Sequence, residues 1–264
     1  MASNLRKEDL VISHFLEATG PWSDSIVIGG GYALIIYKLY LVDQNVENSP
    51  VGTSDIDSLI PRKLPKVSQK DLANHLREAD FQVLFKDYET PATQSYMKKI
   101  CGEEVEIEFL TDTLVRKNKD KNIVIGGVTA QPLRYLELSL VNATPFQTYK
   151  GHRGRVVSPD AWIFHKGLTF PRRNRLKKYK DLYGVWYAAT QLEEFSKKAV
   201  EKLHHLFQRH PSWAKTFQKN ISLWIENATP QDWVYLEMQD PTGKLKKNHF
   251  LHRVNDLLVT NHFL

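Results

Sequence analysis

Residues 25–28 form a short apolar run that passes directly into three glycines, Gly29-Gly30-Gly31. Residues 32–42 (YALIIYKLYLV) follow, an apolar stretch with no helix breaker. A strand that becomes a helix across a bare glycine turn is a narrow constraint. It fixes the opening of an α/β unit, and it lets backbone amides come close to an anion such as phosphate. No Gly-Lys-Ser/Thr follows, so the turn is not a Walker A loop, and G-x-G-x-x-G is absent. Taken alone, the glycines are better explained as a tight turn without a ligand.

The next motif shifts that balance. Residues 54–60 (SDIDSLI) alternate polar and apolar, the pattern of a half-buried strand. Residues two apart on a strand share a face, so Asp55 and Asp57 project together, their stems roughly 7 Å apart. Two carboxylates that close repel unless a cation lies between them, and hard Mg²⁺ or Mn²⁺ takes such oxygen donors together with substrate phosphates. Residues 105–110 (VEIEFL) alternate strictly. Val105, Ile107 and Phe109 are expected to face the core, leaving Glu106 and Glu108 on the face that can meet the aspartates. Each piece alone is weak, since exposed strand faces often carry acids; their combination carries the argument.

The remaining segments of the first half read as a helix over 69–79, strands at 81–85, 95–100, 104–110 and 122–125, and a turn at Cys101-Gly102-Glu103. Residues 45–52 are rich in turn formers, an inserted loop. From about residue 130 the pattern becomes helical, over 132–142, 160–168, 174–208, 212–227, 230–239 and 245–262, with 151–157 extended. This organisation predicts an α/β domain over 1–130 and a mainly helical domain over 131–264.

Charge follows the same division. The net +6, from 36 basic and 30 acidic residues, hides two halves. Residues 1–130 hold 15 basic and 19 acidic residues, and residues 131–264 hold 21 and 11. A basic second half points to a polyanionic partner. The single Cys101 cannot pair within the chain, and MASNLRKEDL is charged where a signal peptide has an apolar core. No apolar run is long enough to span a bilayer. A cytoplasmic location with no membrane partner is therefore expected.

The order of strand, glycine turn, Asp-x-Asp strand and later acid resembles the polymerase-β-like nucleotidyltransferase superfamily. The resemblance implies an α+β fold, a nucleotidyltransferase-type mixed sheet with flanking helices followed by a C-terminal helical domain, with the active site in the cleft between the two domains. It implies Mg²⁺ or Mn²⁺ held by Asp55, Asp57 and Glu108, with an NTP as substrate. An acceptor hydroxyl would attack the α-phosphate in line, releasing pyrophosphate. Glu108 is preferred to Glu106 because Glu108-Phe109-Leu110-Thr111 is similar to the superfamily's Asp-h-Leu-Thr. Gly29, Gly30, Gly31 and Ser54 would then contact the nucleotide. Three departures stand out: the gap from Gly31 to Asp55 is long, the third acid is Glu rather than Asp, and the turn holds three glycines where the superfamily's motif has two.

Residues 128–140, 156–159, 163–168 and 180–182 are similar to bacterial nucleotidyltransferase-like proteins related to the AbiEii and MenT toxins of toxin–antitoxin systems. That likeness implies that Lys166 neutralises triphosphate charge, that Asp181 orients it, and that an antitoxin protein is a partner. Residues 172–180 (RRNRLKKYK) carry six basic residues in nine, a phosphate-binding segment that includes Arg173, with Tyr179 and Tyr183 available to stack on bases. An RNA acceptor, such as a tRNA 3′ end, follows. Two rival readings fit the same motifs: a non-catalytic nucleotide- or RNA-binding protein on a decayed fold, and a small-molecule, antibiotic-type nucleotidyltransferase. Lys117, Lys119 and Lys121 read as an exposed turn. His204, His205 and His210 read as helix-surface residues, and Trp186, Trp213, Trp224 and Trp233 as helix-packing residues.

Overall fold

The computed structural model describes residues 3–42, 50–88, 90–113 and 121–258. Most of the insertion expected around residues 45–52, and Lys117 and Lys119, lie outside these. The chain divides into two compact units, Met1–Val157 and Ser158–Leu264.

Among the described residues, the first unit is a mixed sheet of nine strands with flanking helices. Helix α1 (Ser3–Thr19) leads through a 3-10 turn into strand β1 (Val27–Ile28) and helix α2 (Gly30–Ile36), which continues as a wide π-helical turn to Leu41. Strand β2 (Asp55–Leu59), helix α3 (Leu72–Glu78), and strands β3 (Gln82–Phe85), β4 (Gln94–Ile100) and β5 (Glu103–Asp112) follow. Strands β6 (Ile123–Ile125) and β7 (Val128–Leu133), helix α4 (Leu136–Val141), and strands β8 (Ala143–Gln147) and β9 (Arg153–Val157) complete it. The sheet order is β3-β4-β5-β2-β1-β9-β8, with β7 added beside β5 and β6 beside β7.

Strand β5 is the axis of the sheet. It runs parallel to β2 on one side, and on the other it pairs first with β4 and then with β7. Its first half alternates between the core and a more open face; its last residues, from Phe109 to Thr111, are buried consecutively. That continuous run is what a strand covered on both faces requires.

The first unit extends past the boundary expected at residue 130, because β7, β8 and β9 all pair into the same sheet. The helix expected over 132–142 is correspondingly shorter. Leu133 closes β7, Tyr135 takes a left-handed backbone with φ 66°, and only Leu136–Val141 is helical. Buried Asp9 of α1 ties this late part to the early one. Its Oδ1 accepts from the Tyr40 hydroxyl at 2.7 Å and from the Tyr149 amide at 3.0 Å.

The second unit is helical: α5 (Pro159–Thr169), α6 (Arg175–Thr190), α7 (Glu194–Arg209), α8 (Pro211–Asn227), α9 (Pro230–Glu237) and α10 (Lys247–Leu258). Helix α5 is buried on nearly all sides and packs against α6, α7 and α8, which is why its residues are mostly apolar, with Asp160 and Lys166 as buried charged exceptions. Phe164 meets Phe207 edge-on at 4.9 Å and Phe217 at 6.0 Å. At Gly167 a Cβ would fall 2.0 Å from the Phe217 ring, so α5 and α8 approach closely only because this position lacks a side chain.

The single helix expected over 174–208 is two, broken at residues 191–193. Glu193 has φ 50°, and the Ser196 hydroxyl accepts from Leu192 N–H and donates to Ala188 C=O, both at 2.9 Å.

Asp232 links α9 to α6. It accepts from the Thr229 backbone N–H at 2.9 Å and the Thr229 hydroxyl at 2.6 Å, closing a capping box, and it also accepts from the Tyr179 hydroxyl and from Arg175. The Thr229 hydroxyl and then the Tyr179 hydroxyl hold this carboxyl down at about 2, below the ordinary 3.8. A carboxyl held low in the folded state stabilises above its unfolded value, and that stabilisation is lost as pH falls toward the folded value. Asp232→Ala should therefore lower Tm at neutral pH, and the gap from wild type should narrow as pH drops from 3.8 toward about 2. Melting curves across that range check it; a gap independent of pH would contradict it.

Candidate active site

The glycine turn and the Asp-x-Asp strand meet directly. Val27 and Ile28 pair antiparallel with Leu59 and Ser58, and the ladder ends with Gly29 N–H donating to Asp57 C=O at 2.8 Å. Gly30 follows with φ +57°, and a Cβ there would lie 1.9 Å from Asp57 Oδ2. At Gly31 a Cβ would lie 2.9 Å from Thr53 Cγ2. The turn is thus bare because the side chains of the acid strand occupy the space beside it. Gly30 is the position where both the backbone angle and the close approach exclude a side chain.

The parallel pairing of β2 and β5 sets Asp55 opposite Glu106 and Asp57 opposite Glu108. Ile56 pairs with Ile107, and both are fully buried. In a parallel pair, residues in register point to the same face. All four acids therefore share the face opposite the isoleucines. Asp55 is exposed and Asp57 half-buried. The Ser54 hydroxyl donates to Asp55 Oδ1 at 2.9 Å.

The two glutamates are already engaged. Lys86, just past β3, binds Glu106 Oε1 at 2.5 Å and also pairs with Glu108. Partial burial pushes the Glu106 carboxyl up, but Lys86 and the Ser95 hydroxyl together outweigh it and hold the group below the ordinary range. Burial pulls the Lys86 ammonium down, and the two glutamates more than offset this. Tyr32, the first residue after the glycines, is buried. Burial, then Glu8 and Asp55, push its hydroxyl far above its usual range, so it stays neutral.

The donor chemistry here suits a hard divalent ion, since Mg²⁺ is commonly bound through one or two carboxylates plus substrate phosphates. Asp55 and Asp57 fit that description. Among the described residues no three Asp, Glu, His or Cys side chains are gathered to hold an ion by themselves. An ion drawing on Glu106 or Glu108 competes with Lys86.

In the second unit, three residues singled out by sequence form one cluster. Asp181 Oδ1 accepts from Lys166 Nζ at 2.8 Å, and Oδ2 accepts from Arg173 Nε at 3.3 Å. The Lys166 and Asp181 side chains are 11% and 7% exposed, while Arg173 is 41% exposed. Lys166 also lies over the Trp162 ring, 5.4 Å from its centroid. One buried carboxylate thus orients two cations. Tyr179 and Tyr183 are almost fully buried and cannot offer faces to bases, contrary to expectation. Amphipathic spacing does not separate a ring that faces a neighbouring helix from one that faces solvent. Trp186 and Trp233 are buried, and Trp224 packs edge-on against Trp233 at 4.8 Å. His210 stacks on Trp213 at 4.7 Å. Cys101 is exposed in the β4–β5 turn.

A family model described as nucleotidyltransferase matches residues 11–207, from α1 to α7. The chain belongs to this nucleotidyltransferase family. No curated protein matches it at a significant level. None of the described helices is long and apolar enough to cross a membrane.

Removing one partner of a buried ion pair leaves a stranded charge and costs about 3–5 kcal/mol, whereas an exposed pair is worth about 1 kcal/mol or less. Asp181→Ala should therefore destabilise the protein by several-fold more than Arg173→Ala. Urea denaturation of the two variants measures the ratio, and equal losses would contradict the buried-anchor role of Asp181.

Proposed function

We propose that the protein is a metal-dependent nucleotidyltransferase that moves an NMP from an NTP to an acceptor hydroxyl, with RNA, such as a tRNA 3′ end, as acceptor. The observation that carries this reading is the convergence of Gly30, Asp57 and the in-register pair of strands β2 and β5 on one acidic face. Family membership supports nucleotidyl transfer in general terms.

In this reading Asp55 and Asp57 hold Mg²⁺ or Mn²⁺. When bound, the ion neutralises phosphate charge and lowers the pKa of the attacking hydroxyl. Ser54 fixes the Asp55 carboxylate through its hydrogen bond. The Gly29–Gly31 turn and Ser54 contact the nucleotide phosphates. Glu108, opposite Asp57, serves as the third acid or accepts the acceptor proton once Lys86 has released it. Lys166 and Arg173, held by Asp181, neutralise triphosphate charge, leaving positioning and electrostatics to supply most of the rate.

The RNA acceptor is supported by the basic second half. A toxin role, with an antitoxin protein as partner, is supported by the sequence likeness around Lys166 and Asp181.

The test uses Mg²⁺, each α-labelled NTP in turn, and total tRNA. Label should enter RNA, and Asp55→Asn/Asp57→Asn should reduce transfer by about a hundredfold or more, the scale of losing a group that stabilises transition-state charge. Absence of transfer with RNA binding intact would favour the non-catalytic binding protein. Label on a small hydroxylated acceptor, and not on RNA, would favour the antibiotic-type enzyme.

A further inference from the structure

The second unit holds a cavity of about 500 Å³ that none of the readings above uses. It lies among the turn after α5, α6, α8 and the start of α9. That volume falls within the range of small-molecule sites, which combine apolar walls with a few placed polar groups. The walls are apolar: Phe170, Pro171, Leu223 and Trp224. Trp224 is only half-buried. It is braced edge-on by Trp233 at 4.8 Å and by Phe250 at 5.7 Å, so it is a rigid aromatic surface at the cavity.

The polar groups are specific in kind. Asn220 Nδ2 donates to the carbonyls of Gly167 and Leu168 at 3.0 and 3.2 Å, and Asn227 Nδ2 donates to Leu223 C=O at 2.7 Å. Asn220 spends both of its amide hydrogens on helix carbonyls, so only its oxygen remains, as an acceptor; Asn227 spends one and keeps an oxygen acceptor and one donor. Arg175 is committed to Tyr179, to Asp232 and to the Tyr235 ring, and it balances the Asp232 carboxylate. Lys178 also lines the cavity and has no ion-pair partner among the described residues. The cavity therefore offers an aromatic face, amide acceptors and one available cation.

We propose that this cavity binds a single nucleoside monophosphate unit whose base carries an exocyclic amino group. The base stacks on Trp224, its amino group donates to Asn220 Oδ1, and its phosphate pairs with Lys178. The unit is either free nucleotide or one residue of a single-stranded RNA. The site needs no metal and does not depend on the transfer reaction.

The full-length protein is titrated in EDTA with AMP, CMP, UMP and inorganic phosphate, followed by calorimetry and tryptophan fluorescence. AMP or CMP should bind saturably, and about tenfold tighter than UMP or phosphate, the weight of one stacked and hydrogen-bonded base. Trp224→Leu should weaken binding about tenfold, on the same scale. Because Trp224 also packs inside the unit, the surface variant Lys178→Glu provides the independent check and should weaken AMP binding at least as much, with an unchanged melting curve. Asp55→Asn should leave it unchanged, which separates this site from the acid strand. Tighter binding of an A- or C-containing oligoribonucleotide than of AMP assigns the RNA source; equal binding assigns the free nucleotide. Equal affinity for AMP and UMP, or binding that survives Lys178→Glu, overturns the proposal.

Discussion

The carboxylate of Asp57 lies against the backbone of Gly30, and the rest of the acidic face depends on that approach. A methyl group at residue 30 would sit inside van der Waals distance of the carboxylate oxygen. The left-handed backbone there turns the chain from β1 into α2 at the one place where β2 would block it. The glycine turn and the acid strand are therefore one structural unit although more than twenty residues of sequence separate them. The ladder from Gly29 N–H to Asp57 C=O fixes the offset, and Ile56, buried beneath, prevents a one-residue slip that would turn both aspartates inward.

From this anchor the parallel pairing carries the geometry to β5. Register alone places four carboxylates on one face, and like charges on adjacent strands repel unless compensated. Lys86 supplies part of that compensation by binding both glutamates. The described state is thus one in which a protein cation neutralises the glutamate half of the face. The second unit solves the opposite problem, with Asp181 holding two cations in place.

Strict alternation made β2 and β5 legible, and with them Asp55, Asp57, Glu106 and Glu108, because period-two patterning determines which side chains share a face. The glycine turn was legible as a turn, but its packing against Thr53 and Asp57 was not, since that depends on β1 pairing with β2. Lys86 gave no signal: it reaches the glutamates only through the β3–β4–β5 meander, which sets Ser95 opposite Glu108. Strands β7 to β9 were hidden for local reasons. Leu133, Leu136 and Leu140 mimic helical spacing, and Pro145 sits in an edge strand where its missing N–H costs little. The break between α6 and α7 carries no proline or glycine and is fixed by Ser196 and a left-handed Glu193.

In the proposed function, the aspartates beside Gly30 form the metal- and nucleotide-binding face. A crystal structure with Mn²⁺ and a non-hydrolysable NTP tests it most directly, through the anomalous signal of the ion. Anomalous density is expected between Asp55 and Asp57, with the triphosphate lying along Gly29–Gly31. Density at another site, or a triphosphate bound away from the glycine turn while the acid pair stays empty, would contradict it.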